Sequence, residues 1–114
     1  MAKVYIACPY SHVDKEVMVS RFKQVNKVAG KLMREGHIVF SPISHSHPIA
    51  EEIGGHLDHD FWLNQDFEFI RWCSDLYVLA LPGWGDSTGI KRELEYAALM
   101  GKKIMFIQFE DYAD

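Results

Sequence analysis

Glu93 is the residue whose position in the sequence most clearly suggests chemistry. Read at helical spacing, it lies three residues after Ile90 and four before Ala97, inside an apolar stripe. An ionised carboxylate facing a core costs free energy unless it is hydrogen-bonded or meets a polar cavity, so this placement favours an enzyme pocket. The alternative is a Glu at the stripe's edge whose side chain reaches solvent, and spacing alone leaves both open. The predicted stripe consists of Ile90, Leu94, Ala97, Ala98 and Gly101.

Asp66 has the same kind of position on the preceding predicted helix. It lies four residues after Trp62 and four before Ile70, again within apolar spacing. Two inward-facing carboxylates on neighbouring helices suit a nucleophile and a proton donor, as in retaining glycoside cleavage. Asp66 as a capping or surface residue, and Tyr5 as an ordinary strand residue, are the alternatives. Together, Tyr5, Asp66 and Glu93 predict a catalytic site.

The turn before Glu93 suits an anion or a sugar hydroxyl. Asp86, Ser87 and Thr88 are all good N-cap residues, and Gly89 allows a ligand to approach the backbone closely. Free backbone N–H groups at a helix start favour negative charge, although such runs also serve only as caps. Trp84, between two glycines, is the tryptophan that we expect to contact a ligand.

The histidines offer a metal-binding alternative. His45 and His47, or His56 and His59 with Asp60, include residue types that bind zinc or manganese. Neither set belongs to a recognised metal motif, so polar pocket lining or a surface loop is the favoured interpretation. We therefore expect no metal and no cofactor, and we include His45 among the candidate substrate-binding residues.

Size and charge restrict the class of partner. A chain of 114 residues predicts a single domain spanning residues 1–114, and a net charge of −4 without a basic run argues against a nucleic acid polymer as partner. No segment is long and apolar enough to span a membrane, and Met1 leads directly into a strand, so we expect a cytoplasmic protein. Cys8 and Cys73 are isolated, which predicts reduced thiols, with Cys73 in the core. A small molecule is the expected ligand.

The apolar pattern predicts an α/β fold. Continuous apolar strands alternating with helices are typical of a parallel sheet with helices on both faces, and functional groups then gather at the carboxyl ends of the strands. The stretch 41–55 contains two prolines and two adjacent glycines, which indicates a loop or an irregular helix. Strands are predicted at residues 4–8, 38–40, 76–81 and 104–107, and helices at residues 13–36, from 58 or 60 to 73, and 90–101.

Two motifs resemble a known enzyme family. The run Tyr5-Ile6-Ala7-Cys8-Pro9-Tyr10 resembles the Tyr-Leu-Ala-Gly-Pro-Phe type motif that opens nucleoside 2-deoxyribosyltransferases. The run Ser87-Thr88-Gly89, followed by Glu93, resembles their nucleophile motif. The resemblance spans nearly the whole chain and is nearest to short bacterial and phage members, in which Leu-Pro-Gly-Trp-x-x-Ser-x-Gly precedes the Glu. It implies a flavodoxin-like (Rossmann-like) three-layer fold and a homo-oligomer.

The resemblance also implies roles for individual residues. Glu93 would be the nucleophile that attacks the anomeric carbon and forms a covalent ribosyl-enzyme. Tyr5 would orient that carboxylate, and Asp66 would contact the base and protonate it as it leaves. Cys8 and Pro9 stand where the family's first loop has a glycine, and they belong to the predicted phosphate-binding side.

Position 87 separates two subclasses of the family. Transferases carry Asp six residues before the nucleophile and bind the sugar 5′-hydroxyl, whereas nucleotide N-glycosidases carry Ser there and bind a 5′-phosphate. Ser87 therefore implies an N-glycosidase that hydrolyses a (deoxy)nucleoside 5′-monophosphate, with Gly89 helping to hold the phosphate. Asp86 would repel that phosphate unless a cation intervenes, and the nearby candidates are Lys91, Arg92, Arg21 and His12. Base exchange between deoxynucleosides, and a nucleotide-binding or sensing protein without turnover, are the alternatives.

Overall fold

The computed structural model describes residues 1–54 and 57–114, so the prediction for His56 lies outside the described residues. Within these two ranges, four strands and four α-helices alternate along most of the sequence. The strands are β1 (Lys3–Ala7), β2 (Ile38–Phe40), β3 (Asp75–Leu79) and β4 (Lys103–Ile107). The helices are α1 (Lys15–Arg34), α2 (Pro42–Ile53), α3 (His59–Trp72) and α4 (Thr88–Leu99), with short 3₁₀ turns at Trp84–Asp86 and Phe109–Tyr112.

The four strands form one parallel sheet in the order β2-β1-β3-β4, as the predicted α/β fold requires. Tyr5 in β1 is in register with Phe40 of β2 on one side and with Leu76 of β3 on the other. β1 and β3 are therefore the central strands, and the loops that follow them leave the sheet side by side. In a parallel sheet this is the edge where ligands bind.

Helices cover both faces of the sheet, which confirms the layered arrangement. Along β1, Val4 and Ile6 point to one face, whereas Tyr5 and Ala7 point to the other, as the two-residue period of a strand requires. The first face packs against α1 and the 3₁₀ turn at Phe109–Tyr112, and the second packs against α3 and α4. Tyr5 therefore lies on the same face as Glu93.

The segment predicted to be a loop or an irregular helix forms the helix α2. Ser41 caps its N-terminus by accepting a hydrogen bond from the backbone N–H of Ser44, and Pro42 occupies the first turn, where its missing N–H costs nothing. Pro48 lies inside the helix, and Gly54, at φ 69°, ends it. Two prolines and a glycine thus mark the start, middle and end of one helix.

Element ends account for the remaining differences from the prediction. β1 ends at Ala7 and β3 at Leu79, each earlier than predicted, because the chain turns towards the ligand-binding edge sooner than its apolar run suggests. Ala98 and Gly101 are exposed, so the buried stripe of α4 ends at Ala97. Cys73 is buried, as predicted. In the described parts of the chain, no helix has the length and apolar character needed to cross a membrane.

Candidate active site

A cavity of about 940 Å³ lies at the carboxyl ends of β1 and β3. Its walls come from the loop after β1, from α2 and α3, and from the N-terminal turn of α4. This volume is in the range of small-molecule sites in proteins. The cavity therefore lies where the parallel sheet predicts function, and Glu93 and Asp66 both line it.

Tyr5 and Glu93 form a buried pair next to this cavity. Tyr5 is fully buried in β1, and Glu93, on α4, is only 6% exposed. The Tyr5 hydroxyl donates a hydrogen bond to Glu93 Oε2, across 88 residues of sequence. Of the residues that the structure describes, Glu93 is the one charged side chain in the buried class. The solvent-reaching alternative for Glu93 is therefore wrong.

Asp66 lies on α3, which packs against α4. Its side chain is half-buried and lines the same cavity as Glu93. The charge of Asp66 contributes to raising the pKa of Glu93. The structure thus brings together the three residues from which the sequence predicted a catalytic site.

Burial is the largest cause of the pKa shifts in this trio. It raises the pKa of Glu93 from 4.5 to about 8 and that of Asp66 from 3.8 to about 7. The hydrogen bond that Tyr5 donates to Glu93 opposes the shift of Glu93, since it stabilises the ionised carboxylate. Burial and the charge of Glu93 raise the pKa of Tyr5, so Tyr5 keeps its proton and remains a donor. Because the charge of Asp66 acts on Glu93, the two carboxyl groups titrate as a coupled pair.

The turn at the start of α4 forms the polar wall of the cavity. Ser87 caps the helix by accepting a hydrogen bond from the backbone N–H of Ile90. Its own hydroxyl proton remains a donor, and the N–H groups of Thr88 and Gly89 belong to the first turn, where a helix supplies no carbonyl partner. Ser87, Gly89 and Asp86 all line the cavity. This wall therefore presents donors to a ligand at a helix N-terminus.

Arg21 connects the two loops that follow the central strands. Its Nη1 donates to the carbonyls of Tyr10 and Ser11, at 3.3 and 3.2 Å, and its Nη2 donates to the carbonyl of Pro82, at 2.9 Å. Gly83 adopts φ 94°, and a Cβ at this position would lie 2.9 Å from Arg21 Nη2. Arg21 therefore places a fixed positive charge in the cavity wall.

The other cations named from the sequence divide into two groups. His12 lines the cavity, as Arg21 does. Arg92 instead pairs with Asp60 at 2.8 Å on the surface, and Lys91 is exposed outside the cavity lining. Arg21 is therefore the permanent cation of this set that lines the cavity together with Asp86.

Cys8 and Pro9 lie in the loop after β1 and line the cavity. Burial raises the pKa of Cys8 to about 12, so its side chain remains a neutral thiol. A neutral thiol forms only weak hydrogen bonds. Cys8 and Pro9 would therefore contact a ligand mainly through van der Waals packing.

Trp84 and His45 lie outside the cavity lining. Trp84 packs against Phe106, with ring centroids 5.2 Å apart, and His45 packs against Phe40, at 5.4 Å. Trp84 lies in the 3₁₀ turn before α4 and not in the first turn of α4, which faces the cavity. His45 lies in α2, on a different side of that helix from the residues that line the cavity. The structure therefore does not bring Trp84 and His45 together with the other predicted site residues at the cavity. No cluster of three or more metal-binding side chains occurs in ranges 1–54 and 57–114.

Sequence reasoning missed the face of α2 that lines the cavity. Ile43, Ser46, His47 and Ala50 are spaced at i, i+3, i+4 and i+7, which places them on one side of a helix. This signal was present in the sequence, but the two prolines suggested a loop, in which helical spacing has no meaning. His47, and not His45, is the histidine of this pair at the cavity.

Comparison with known proteins agrees with this geometry. The fold resembles a solved 2-deoxyribosyltransferase from the psychrotolerant bacterium Bacillus psychrosaccharolyticus, a biocatalyst for the synthesis of antiviral and antitumoral nucleosides. The TM-score is 0.69 at 29% sequence identity, over 94% of this chain and 72% of that chain. No curated protein matches the chain. The class is thus an α/β parallel-sheet protein with a 2-deoxyribosyltransferase-like fold.

The chain belongs to the family described as a domain of unknown function (DUF1937), whose family profile matches residues 2–109.

Proposed function

We propose that this protein is an N-glycosidase that hydrolyses the bond between base and sugar in a nucleoside 5′-monophosphate, with deoxynucleotides as the preferred substrates. The observation that carries the proposal is the buried Glu93 carboxylate, which accepts a hydrogen bond from Tyr5 at the cavity, with Asp66 on the adjacent wall. A protein that only binds nucleotides has no need for a desolvated carboxylate held in this way. The solved relative named above is a 2-deoxyribosyltransferase, which supports the proposal that the bond between base and sugar is the one cleaved.

The reaction proceeds in two displacements. First, Glu93 attacks C1′ of the sugar, the C1′–N bond breaks, and its electron pair passes to the base nitrogen. Asp66 donates a proton to the leaving base. Water then attacks C1′ and gives its proton to Asp66, which releases the sugar from Glu93. The reactive form of this coupled pair has Glu93 ionised and Asp66 protonated; burial raises the pKa of Glu93 to about 8 and so opposes this form, whereas the hydrogen bond from Tyr5 favours it.

The preference for a 5′-phosphate rests on the polar wall. Ser87 supplies a hydroxyl donor, the first turn of α4 supplies backbone N–H groups, and Arg21 supplies positive charge. A helix N-terminus next to a cation favours an anion. Arg21 lines the cavity that contains Asp86, and it is the cation that would limit the repulsion between Asp86 and a phosphate.

Base exchange between deoxynucleosides is the second candidate function. Asp86 lines the cavity directly beside Ser87, so a carboxylate is available near the site where a 5′-hydroxyl would bind. The relative's transferase activity favours this candidate as well. The two functions differ in whether water or a second base attacks the sugar bound to Glu93.

The test is to incubate the protein with ribo- and deoxynucleotides and with their nucleosides, with and without an acceptor base, and to follow free base by chromatography. We expect base release from deoxynucleoside monophosphates without acceptor, and loss of release on the order of 10³-fold or more in Glu93→Gln. Glu95→Gln is the matched control, because Glu95 is exposed on the same helix. The absence of release across the panel contradicts the proposal, and release only with an acceptor base indicates transfer.

Ser87→Asp tests the phosphate assignment separately. Asp also caps a helix well, so the fold should be retained while a negative charge enters the polar wall. We expect the ratio of nucleotide to nucleoside turnover to fall at least about tenfold. Ser87→Asn is the control, since it keeps a capping side chain without the charge. An unchanged ratio would show that the phosphate lies elsewhere.

A further inference from the structure

His59, the first residue of α3, lies against the turn that begins α4. It lines the cavity together with Ser87 and Gly89. A Cβ added at Gly89 would lie 3.4 Å from Cε1 and 3.6 Å from Nε2 of His59. The edge of the imidazole that carries Nε2 therefore faces the first turn of α4. The catalytic and binding roles proposed above do not use His59.

Gly89 leaves a space between His59 and Ser87. The position that a Cβ of Gly89 would occupy lies 3.8 Å from Ser87 Oγ, so the imidazole and the hydroxyl border the same small volume. One group comes from α3 and the other from the start of α4. A phosphate has several acceptor oxygens and can accept from donors on both sides. The missing side chain at position 89 keeps this volume open to a ligand.

The cavity face of α3 connects this volume to the catalytic carboxylates. His59, Leu63 and Asp66 are spaced at i, i+4 and i+7, and all three line the cavity. At the start of this face His59 contacts Gly89, and two turns later the charge of Asp66 acts on Glu93. Gly89 and Glu93 are themselves one turn apart on α4. His59 therefore lies at the Ser87 end of the cavity.

The carboxylates next to His59 in the sequence point away from the cavity. Asp58 caps α3 by accepting a hydrogen bond from the backbone N–H of Phe61. Asp60 pairs with Arg92 of α4 at 2.8 Å on the surface. Both carboxylates lie outside the cavity lining, whereas the imidazole of His59 belongs to it. An anion in the cavity would therefore meet the ring of His59 and not its acidic neighbours.

An imidazole in this position can bind an anion from any of its protonation states. A neutral ring carries its proton on either nitrogen, and a charged ring donates from both. A phosphate only accepts hydrogen bonds, so its binding favours a form in which the N–H of Nε2 faces it. The ligand thus selects the donating form of His59.

We propose that His59 binds the 5′-phosphate of the substrate from the α3 side and thereby favours nucleotides over nucleosides. This inference rests on the proposed function for the class of ligand. The loss of a hydrogen bond to a charged group reduces affinity by about 10- to 100-fold. A nucleoside has no phosphate, so its binding should not depend on His59.

The experiment measures equilibrium binding of the four deoxynucleoside 5′-monophosphates and of the matching deoxynucleosides to Glu93→Gln, with and without His59→Ala. Base release is measured in parallel with Glu93 intact. We expect His59→Ala to weaken nucleotide binding at least about tenfold and to change nucleoside binding by less than about twofold. Gln65→Ala is the matched control, because Gln65 is exposed on the same helix and lies outside the cavity lining.

Gly89→Ala tests the space between the two helices. Gly89 has no positive φ, and the added methyl group would make ordinary van der Waals contact with His59, so the fold should be retained. The methyl group would, however, separate a phosphate from His59. We expect weaker nucleotide binding, and a smaller effect of His59→Ala in the Gly89→Ala background than in its absence. The melting temperature confirms that the variants fold, and full additivity of the two changes would overturn the shared contact.

The outcomes separate the two proposals. Equal weakening of nucleotide and nucleoside binding overturns the role of His59, and so does nucleotide binding that His59→Ala leaves unchanged. If nucleotide binding depends on His59 but the wild type releases no base, the hydrolase proposal fails and the phosphate contact stands. If base is released equally well from nucleosides and nucleotides, the phosphate contact fails and cleavage of the bond between base and sugar stands. Failure of all these ligands to bind overturns both.

Discussion

At the scale of single residues, the pair of Tyr5 and Glu93 determines what the cavity can do. Burial destabilises the ionised form of Glu93, and the hydrogen bond from the Tyr5 hydroxyl offsets part of this destabilisation. A carboxylate with few hydrogen-bond partners is a better nucleophile than one that water surrounds. Asp66 adds a like charge, so the protonation of either carboxyl group depends on the other.

Tyr5→Phe removes the donor while keeping the ring. Because the Tyr5 hydrogen bond lowers the pKa of Glu93, its loss should raise that pKa further and move the acidic limb of the kcat/KM profile to higher pH. We expect kcat/KM at pH 7 to fall about 10- to 100-fold. Tyr77→Phe, at a buried tyrosine on the opposite face of the sheet, is the control. An acidic limb that stays in place would show that Tyr5 does not support the ionised form of Glu93.

Asp66→Asn should move the same limb in the opposite direction. The charge of Asp66 raises the pKa of Glu93, so its removal lowers that pKa, and the acidic limb shifts to lower pH. The basic limb, which reports the loss of the proton donor, should disappear, and turnover should fall about 10²- to 10⁴-fold. A complete pH profile of kcat/KM tests both changes at once. Retention of the basic limb would assign the proton donor to another group.

At the scale of elements, the loops that follow β1 and β3 meet beside the polar wall at the start of α4, and Arg21 fixes the spacing of these two loops. The guanidinium bonds carbonyls from the loop after β1 and from the loop after β3, and it lies against Gly83. A residue other than glycine at position 83 would need both an unfavourable φ of 94° and space that Arg21 occupies. The glycine thus permits the contact that sets the distance between the two central loops.

Gly83→Ala tests this arrangement against two other glycines. Gly36 has φ 102° but no atom within 4 Å of where a Cβ would lie, and Gly85 has neither a positive φ nor a close neighbour. In urea unfolding, we expect Gly85→Ala to be close to neutral, Gly36→Ala to cost about 1 kcal/mol, and Gly83→Ala to cost about 2 kcal/mol or more. Gly83→Ala should also weaken nucleotide binding. Equal costs at positions 83 and 36 would show that Arg21 moves aside freely.

The sequence predicted most of these elements because their signals are local. The apolar runs of β1 and β3 identified the sheet, whereas the spacing around Glu93 left a buried and a solvent-reaching carboxylate as alternatives, between which the tertiary structure decides. The face of α2 was missed because Pro42 and Pro48 are strong breakers out of context, although Pro42 is harmless in a first turn. The misplacement of Trp84 has a different cause: whether a tryptophan lines a cavity or packs against Phe106 depends on tertiary contacts that spacing does not encode.

At the scale of the whole molecule, the burial of Glu93 reduces stability at alkaline pH. The folded state raises the pKa of Glu93 from 4.5 to about 8, so folding favours the protonated form. Between these pH values the folded protein holds more protons than the unfolded chain, and the free energy of unfolding must fall as pH rises. The stability that the protonated form of Glu93 contributes is complete below about pH 4.5, and it is lost as the pH rises through about 8.

Glu93→Gln should therefore stabilise the protein at alkaline pH. A neutral amide can still accept the Tyr5 hydrogen bond and has no charge to desolvate, so we expect a gain on the order of 1 to 3 kcal/mol at pH 8 and almost none at pH 4. Denaturant unfolding at several pH values measures it, with Glu95→Gln as the exposed control. A gain that does not vary with pH would contradict the assigned cause.

Self-association remains a prediction at this scale. β4 is an edge strand, and its residue Phe106 is 49% exposed. Leu99, at the end of α4, is 78% exposed. Apolar side chains near an unpaired strand edge favour contact with another chain. Light scattering of the purified protein would decide whether it is a homo-oligomer.

The central claim is that Glu93 forms a covalent bond to the sugar. The most direct measurement is the mass of the protein and of its peptides after acid quenching of a reaction with a 2′-fluoro nucleoside monophosphate, in which fluorine slows release of the sugar. We predict a mass increase equal to the sugar phosphate, located on the peptide that contains Glu93 and absent in Glu93→Gln. Base release from this nucleotide without an adduct, or an adduct that persists in Glu93→Gln, would contradict the claim.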